Sequence, residues 1–141
     1  MQIQSVSLNK YTNTKLNNNL KANNKPSFKG ELTNDEYYRV LDRLKRVEGE
    51  IIQANSFDKL LSTMDALVAK YESMGVRSAA VQVISKEDTE YFLGDKASEY
   101  DLSDKVLLCI AVGNRNNSVE NMTNIYETAT LIMPEKILSD R

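Results

Sequence analysis

VLLCIAV, Val106 to Val112, is the most hydrophobic run in this chain, and its reading decides the fold. It is bounded by Lys105 and Gly113 and is too short for an ordinary helix. An unbroken apolar run of this length predicts a strand covered on both faces. Cys109 lies inside it and reads as a small buried hydrophobe. A catalytic thiol would need exposure and a nearby base or cation, and the chain has no histidine to supply the base.

Upstream, Arg77 to Ser85 (RSAAVQVIS) is rich in β-formers, with Val81 and Val83 on one face. Lys86-Glu87-Asp88 reads as a turn, and Thr89 to Leu93 (TEYFL) as a second strand, giving strands at about 77–85, 89–93 and 105–112. Gly94-Asp95 ends the hairpin, and Lys96 to Asp104 reads as a loop or one helical turn. Downstream, Ser118 is placed to cap a helix over about 118–133 that carries Val119, Met122, Ile125, Tyr126, Ala129, Ile132 and Met133. Pro134 stops it. The rival is a final strand through Thr128 to Met133, where Thr128, Thr130 and Ile132 are β-branched. The unbroken 3.6 period from Val119 tips the reading to helix. Ile137 and Leu138 then fray or pack back.

Towards the N-terminus, Thr33-Asn34-Asp35-Glu36 is a capping box, with Leu32 and Tyr37 placed as a hydrophobic staple. Tyr37, Val40, Leu41, Leu44, Val47 and Ile51 fall on one helical face, which predicts a helix over about 33–54. Ser56 opens a second helix over about 56–74, with its stripe from Phe57 to Tyr71 and Gly75 as a left-handed terminator. The short link at Ala54-Asn55-Ser56 predicts an αα-hairpin. Both stripes read as faces of the domain's own core ahead of a partner groove. The expected fold class is α+β: an N-terminal αα-hairpin, a sheet of three or four strands and a C-terminal helix packed on it.

Before Pro26-Ser27-Phe28-Lys29-Gly30 the composition changes. Residues 1–30 hold five lysines, no acid and a run of asparagines, so they read as a disordered basic tail of about +5. Residues 31–141 read as one acidic domain of about −7, and the whole chain carries −2. No apolar stretch reaches the roughly 18 residues of a membrane span, and the first residues lack a secretory signal's apolar core. One cysteine permits no intrachain disulfide and favours a reducing interior, so the expected location is cytoplasmic.

The absence of histidine removes Ser-His-Asp and Cys-His triads and, with one cysteine, nearly every zinc site. No cofactor or metal is expected. The acids Glu87, Asp88, Glu90, Glu99, Asp101 and Asp104 match no calcium-loop spacing and read as solvated turns. The acidic domain has no basic stripe with interleaved aromatics, which disfavours specific nucleic-acid binding. One junction carries a chemical hypothesis. If a strand ending at Val112 feeds a helix from Ser118, then Gly113, Asn114, Arg115 and Ser118 meet a helix N-terminus suited to an anion. It is neither a P-loop nor a dinucleotide fingerprint, and Glu120 adds an opposing charge there. The leading expectation is a non-enzymatic protein-interaction or oligomerisation domain, with a protein partner or self-association. A small anionic-ligand domain using Gly113–Ser118 comes second. A carboxylate- or tyrosine-based enzyme comes third.

Overall fold

The capping box forms as its sequence predicts. In the computed structural model, which describes residues 32–114 and 118–139, Glu36 N–H donates to Thr33 Oγ1 at 3.1 Å and Thr33 N–H donates to Glu36 Oε1 at 2.9 Å. Helix α1 (Asn34–Lys45) follows and buries Tyr37, Val40, Leu41 and Leu44. Strand β1 (Glu50–Gln53) leads to helix α2 (Phe57–Lys70), which buries Phe57, Leu60, Met64 and Leu67. A 3-10 turn (Glu72–Met74) closes at Gly75, whose φ of 91° is the left-handed terminator expected there. Strand β2 (Ala80–Ile84), the short helix α3 (Thr89–Leu93), strands β3 (Lys105–Gly113) and β4 (Ile125–Pro134), and helix α4 (Glu135–Ser139) complete the order. The reading of residues 1–30 as a tail lies outside the described residues, as does Arg115.

The sheet is mixed, with order β1-β4-β3-β2. β4 runs antiparallel to β3 and parallel to β1, and β2 runs antiparallel to β3. Strand alternation separates two cores. Val81, Val83, Leu108, Ile110 and Leu131 pack against α2. Ile84, Leu107, Cys109, Ala111 and Ile132 pack with residues of α1 and α3 on the other face. VLLCIAV is thus covered on both sides. Each fully buried leucine or isoleucine in it contributes roughly 1.5–3 kcal/mol. Tyr71 OH donates to Glu127 Oε1 at 2.8 Å and Lys70 pairs with the same oxygen at 2.7 Å, tying the end of α2 to β4.

The structure corrects the sequence expectations at residues 46–54, 89–93 and 118–133, and with them the two hairpins. The first helix does not run to residue 54: it ends at Lys45, and Ile51-Ile52 lie in β1. Ile51 and Ile52 face opposite cores, as neighbours in a strand must. No αα-hairpin forms, because β1 separates the two helices and they cover opposite faces of the sheet. Residues 89–93 are helix and not strand. Thr89 and Leu93, one helical turn apart, are both buried there. β2 therefore reaches β3 by a long connection over the α1 face and not by a hairpin. Residues 118–133 hold a 3-10 turn (Val119–Asn121) and then β4 in place of a helix. Thr128 to Met133 are all buried. When both faces of a strand are covered its apolar residues need not alternate, so the helical spacing from Val119 was coincidental. Leu138 packs back, buried at 2 % exposure.

Gly49 lets the chain pass close to β4 as it enters β1. A Cβ there would collide with the carbonyl and hydroxyl of Thr128 on β4. Thr128 Oγ1 also donates to Val47 O at 3.3 Å, so the approach is close on both sides. Gly49→Ala is expected to lower unfolding free energy by roughly 1–3 kcal/mol, through overpacking against backbone. A urea-denaturation midpoint checks this. A loss below about 0.5 kcal/mol would mean that residues 47–49 move aside at little cost.

Candidate functional site

The surface over α1 and α3 gathers three tyrosines with their polar partners. Tyr38 meets Tyr37 edge-on at 5.0 Å and Tyr91 edge-on at 5.9 Å. Tyr91 is 44 % exposed, yet its ring is held in place. Its hydroxyl donates to Asp42, and Lys45 Nζ sits 4.0 Å over the ring centroid.

Beneath this surface a hydrogen-bond chain fastens α1 to the β2–α3 connection. Tyr37 OH accepts from Ser85 N–H at 2.9 Å and donates to Ser85 Oγ at 3.2 Å. Ser85 Oγ donates in turn to Asp88, whose other oxygen accepts from Tyr38 OH at 2.8 Å. Arg43 donates to the carbonyls of Val119 and Met122, fixing the 3-10 turn that precedes β4.

A crevice of about 240 Å³ opens where α1 and α3 stop short of the sheet edge. Ile51, Leu44 and Leu93 give it an apolar wall, Thr128 and Thr130 rise from β4, and Lys45, Lys96 and Glu48 also line it. A depression of about 570 Å³ lies at the end of α2, but Asp65, Glu72 and Arg77 in its lining are exposed and only Val76 is buried. A third, of about 490 Å³, lies beside Asp104 and Glu135. The smallest of the three has strands β1 and β4 in its lining, through Ile51, Thr128 and Thr130.

The tyrosines here are donors, not bases. Burial pushes the Tyr37 phenol up to about 12. The hydrogen bonds to Asp88 and Asp42 raise those of Tyr38 and Tyr91. A tyrosinate base would require the opposite shift. Cys109 is buried, and desolvation lifts its thiol to about 12, as suits a packing residue.

The sequence-predicted loop is placed differently from its expectation. Gly113 ends β3 at a bulge and packs on Asn124, whose carbonyl occupies the space a Cβ would take. Asn114 Oδ1 accepts from Asn124 N–H at 2.6 Å and its amide donates to Thr123, so its side chain closes the β3–β4 connection. Ser118 is 4 % exposed, and its hydroxyl has no hydrogen-bond partner among the described residues. The helix N-terminus expected at Ser118 is replaced by the 3-10 turn.

Sequence reasoning missed Tyr38, Tyr91, Lys45 and Lys96. Nothing in the spacing of α1 and TEYFL marks them as neighbours. Only a reading of TEYFL as helix, with Leu93 one turn after Thr89, would have turned Tyr91 outward. Among the described residues no group of three or more His, Cys, Asp or Glu is arranged to hold a metal, and no helix is long and apolar enough to cross a membrane. Comparison with protein-family models, curated proteins and solved structures returns no match.

The Tyr91–Asp42 bond has a measurable sign. A phenol whose pKa is raised on folding contributes stability that is full below its ordinary value of 10.0 and is lost as pH rises through the higher folded value. Asp42→Asn removes the neighbouring charge, so Tyr91 is expected to ionise at lower pH. Phenolate absorbance titrations of the parent and Asp42→Asn chains, each subtracted from its Tyr91→Phe counterpart, resolve this. Coincident difference curves would show that the bond is not maintained in solution.

Proposed function

We propose that this chain is a non-enzymatic protein-interaction domain whose contact surface is the Tyr91 face and the adjoining crevice. The observation that carries the reading is Tyr91 itself: a large exposed aromatic ring braced by Tyr38, Asp42 and Lys45. Tyrosine is enriched among the few residues that dominate protein-interface energetics. A ring already held in one orientation loses little further freedom on binding.

The crevice points to the occupant. Sites for drug-sized molecules usually run to about 300–1,000 Å³. At about 240 Å³ this one suits one or two side chains better than a cofactor. Its apolar wall, and Lys45 and Lys96 outnumbering Glu48 in its lining, favour a peptide segment with an apolar anchor beside acidic residues.

The anionic-ligand reading at Gly113, Asn114 and Ser118 is favoured by one observation, the buried Ser118 hydroxyl. Gly113 and Asn114 are engaged with residues 123–125 there, so the peptide reading rests on more.

Random-peptide selection against the full chain tests the proposal. It is expected to enrich acidic peptides with a central apolar residue. Affinity for the selected peptide should fall at least about 30-fold in Tyr91→Ala, the effect of a hot-spot residue worth about 2 kcal/mol. Lys96→Ala should weaken binding more at low salt than at high salt. No enrichment, or binding indifferent to Tyr91→Ala, would overturn the assignment.

A further inference from the structure

Val81 sits on a sheet edge that is already occupied. Ala54 N–H donates to Ile132 O at 2.9 Å, so Ile132 turns its backbone groups toward β1 and Leu131 turns its own toward β3. Leu108 answers Leu131, which leaves Leu107 and Cys109 facing β2. Their partners Ile84 and Gln82 face β3, so Val81 and Val83 turn their N–H and C=O groups out of the sheet. Two side chains agree with this phase at the end of the strand. Gln82 Nε2 donates to Val83 O at 3.0 Å, and Tyr37 OH accepts from Ser85 N–H at 2.9 Å.

β2 is the last strand of the sheet, yet Val81 is engaged, and so is Ala79 just before it. Neither side chain has a polar atom, so the engaged groups are backbone. Among the described residues no turn or loop bonds them. Their partner therefore lies in residues 1–31, 115–117 or 140–141.

Position selects the first of these. α1 crosses the sheet from β2, where Tyr37 meets Ser85, toward β4 and β1, where Gly49 meets Thr128. The chain before Leu32 thus issues on the outer side of β2, with 31 residues to lay along it. Residues 115–117 follow Asn114, past Gly113, whereas Val81 is level with Ile110, about 10 Å further along the sheet. Three residues tied to Asn114 and Ser118 are short for that path and its return. Residues 140–141 follow α4 beyond the other end of β2, where Lys86 pairs with Glu135 at 3.2 Å. Charge points the same way: residues 1–30 hold five lysines and no acid, and Glu87 and Asp88 border the end of β2.

We propose that residues 25–29 pair with β2 as a further, parallel strand of the sheet. The chain must run toward Leu32 as β2 runs toward Ser85, which makes the pairing parallel. Pro26 sets the phase. It has no N–H to give, so it faces outward, and Lys25, Ser27 and Lys29 turn their backbone groups to β2. Pro26 also denies a hydrogen bond to any strand added beyond it. In this arrangement the folded domain begins upstream of Lys25. The pairing uses neither Tyr91 nor the crevice, so it does not rest on the peptide reading above.

Amide hydrogen exchange of the full chain, followed by nuclear magnetic resonance, tests the pairing. Val81 N–H is expected to be protected although it faces outward. Ser27→Pro removes a hydrogen bond to the edge and should speed that exchange at least about tenfold. Phe28→Pro removes an N–H that faces away and should leave the rate near the parent's. Amides of β1 and β4 should keep their parent shifts in both variants, so that a loss confined to the β2 edge reports lost pairing. Nuclear Overhauser contacts between residues 25–29 and 81–83 give a second readout. Unchanged Val81 protection in Ser27→Pro, without such contacts, would overturn the proposal and leave residues 115–117 as the partner. Equal losses in Ser27→Pro and Phe28→Pro would overturn the phase. Protection that falls on dilution would place a second copy's segment on the edge and overturn the pairing within one chain.

Discussion

The pairing of β3 with β4 is the constraint on which the other elements depend. The two strands run together from Lys105 opposite Pro134 to Gly113 opposite Ile125. β3 also has β2 on its other side, so its backbone N–H and C=O groups are removed from water along both edges. Leu107, Leu108, Cys109 and Ile110 are fully buried. A strand in that position tolerates no charge, and its partner must be nearly as apolar, as Thr128 to Met133 are. Everything else covers this ribbon. α2 closes one face and α1 with α3 closes the other, while β1 and β2 flank the pair.

That arrangement explains where the polar residues gather. Gln82, Cys109 and Thr130 lie in one row across the sheet on the α1 face. All three are buried, and each is small or amide-bearing enough to find a local partner. Gln82 donates to Val83 O at 3.0 Å, and Cys109 lies between Gln82 and Thr130 in the row. The Tyr37–Ser85–Asp88 chain does similar work at the layer boundary. It anchors α1 to the long β2–β3 connection, a run of short helical segments over residues 86–99 that includes α3. Once that connection is fixed, α3 is fixed, and Tyr91 is presented from a rigid base. The proposed interaction surface is thus a consequence of how the sheet's upper face is closed.

Much of the local structure could be read from residue types. The Thr33–Glu36 capping box, the stripe from Phe57 to Leu67, the Gly75 terminator and the strand character of Val81–Val83 and Val106–Val112 all formed where expected. Each rests on interactions within a few residues, or on burial strong enough to override alternatives. The errors share a cause. Ile51, TEYFL and the run from Ile125 to Met133 are segments whose local pattern fits both helix and strand. Ile51 continued the stripe of α1 by accident of spacing, and Ala129, Ile132 and Met133 continued that of Val119.

By itself the sequence determined an α+β domain built around one strand with no polar face, together with the starts of its two long helices, because capping chemistry and dense burial act locally. It also set the chemical limits: no histidine, and a single cysteine held inside the core. The tertiary structure alone decided that β4 is a strand and that β1 interrupts the helices. β3 has two faces and two edges to satisfy, and only a neighbouring strand supplies hydrogen bonds at an edge. The tertiary structure also brought Lys45 and Asp42 to Tyr91, across a sequence gap that no periodicity spans. That juxtaposition depends on the path of the β2–β3 connection over the sheet, which is set by packing and not by any residue's own preference.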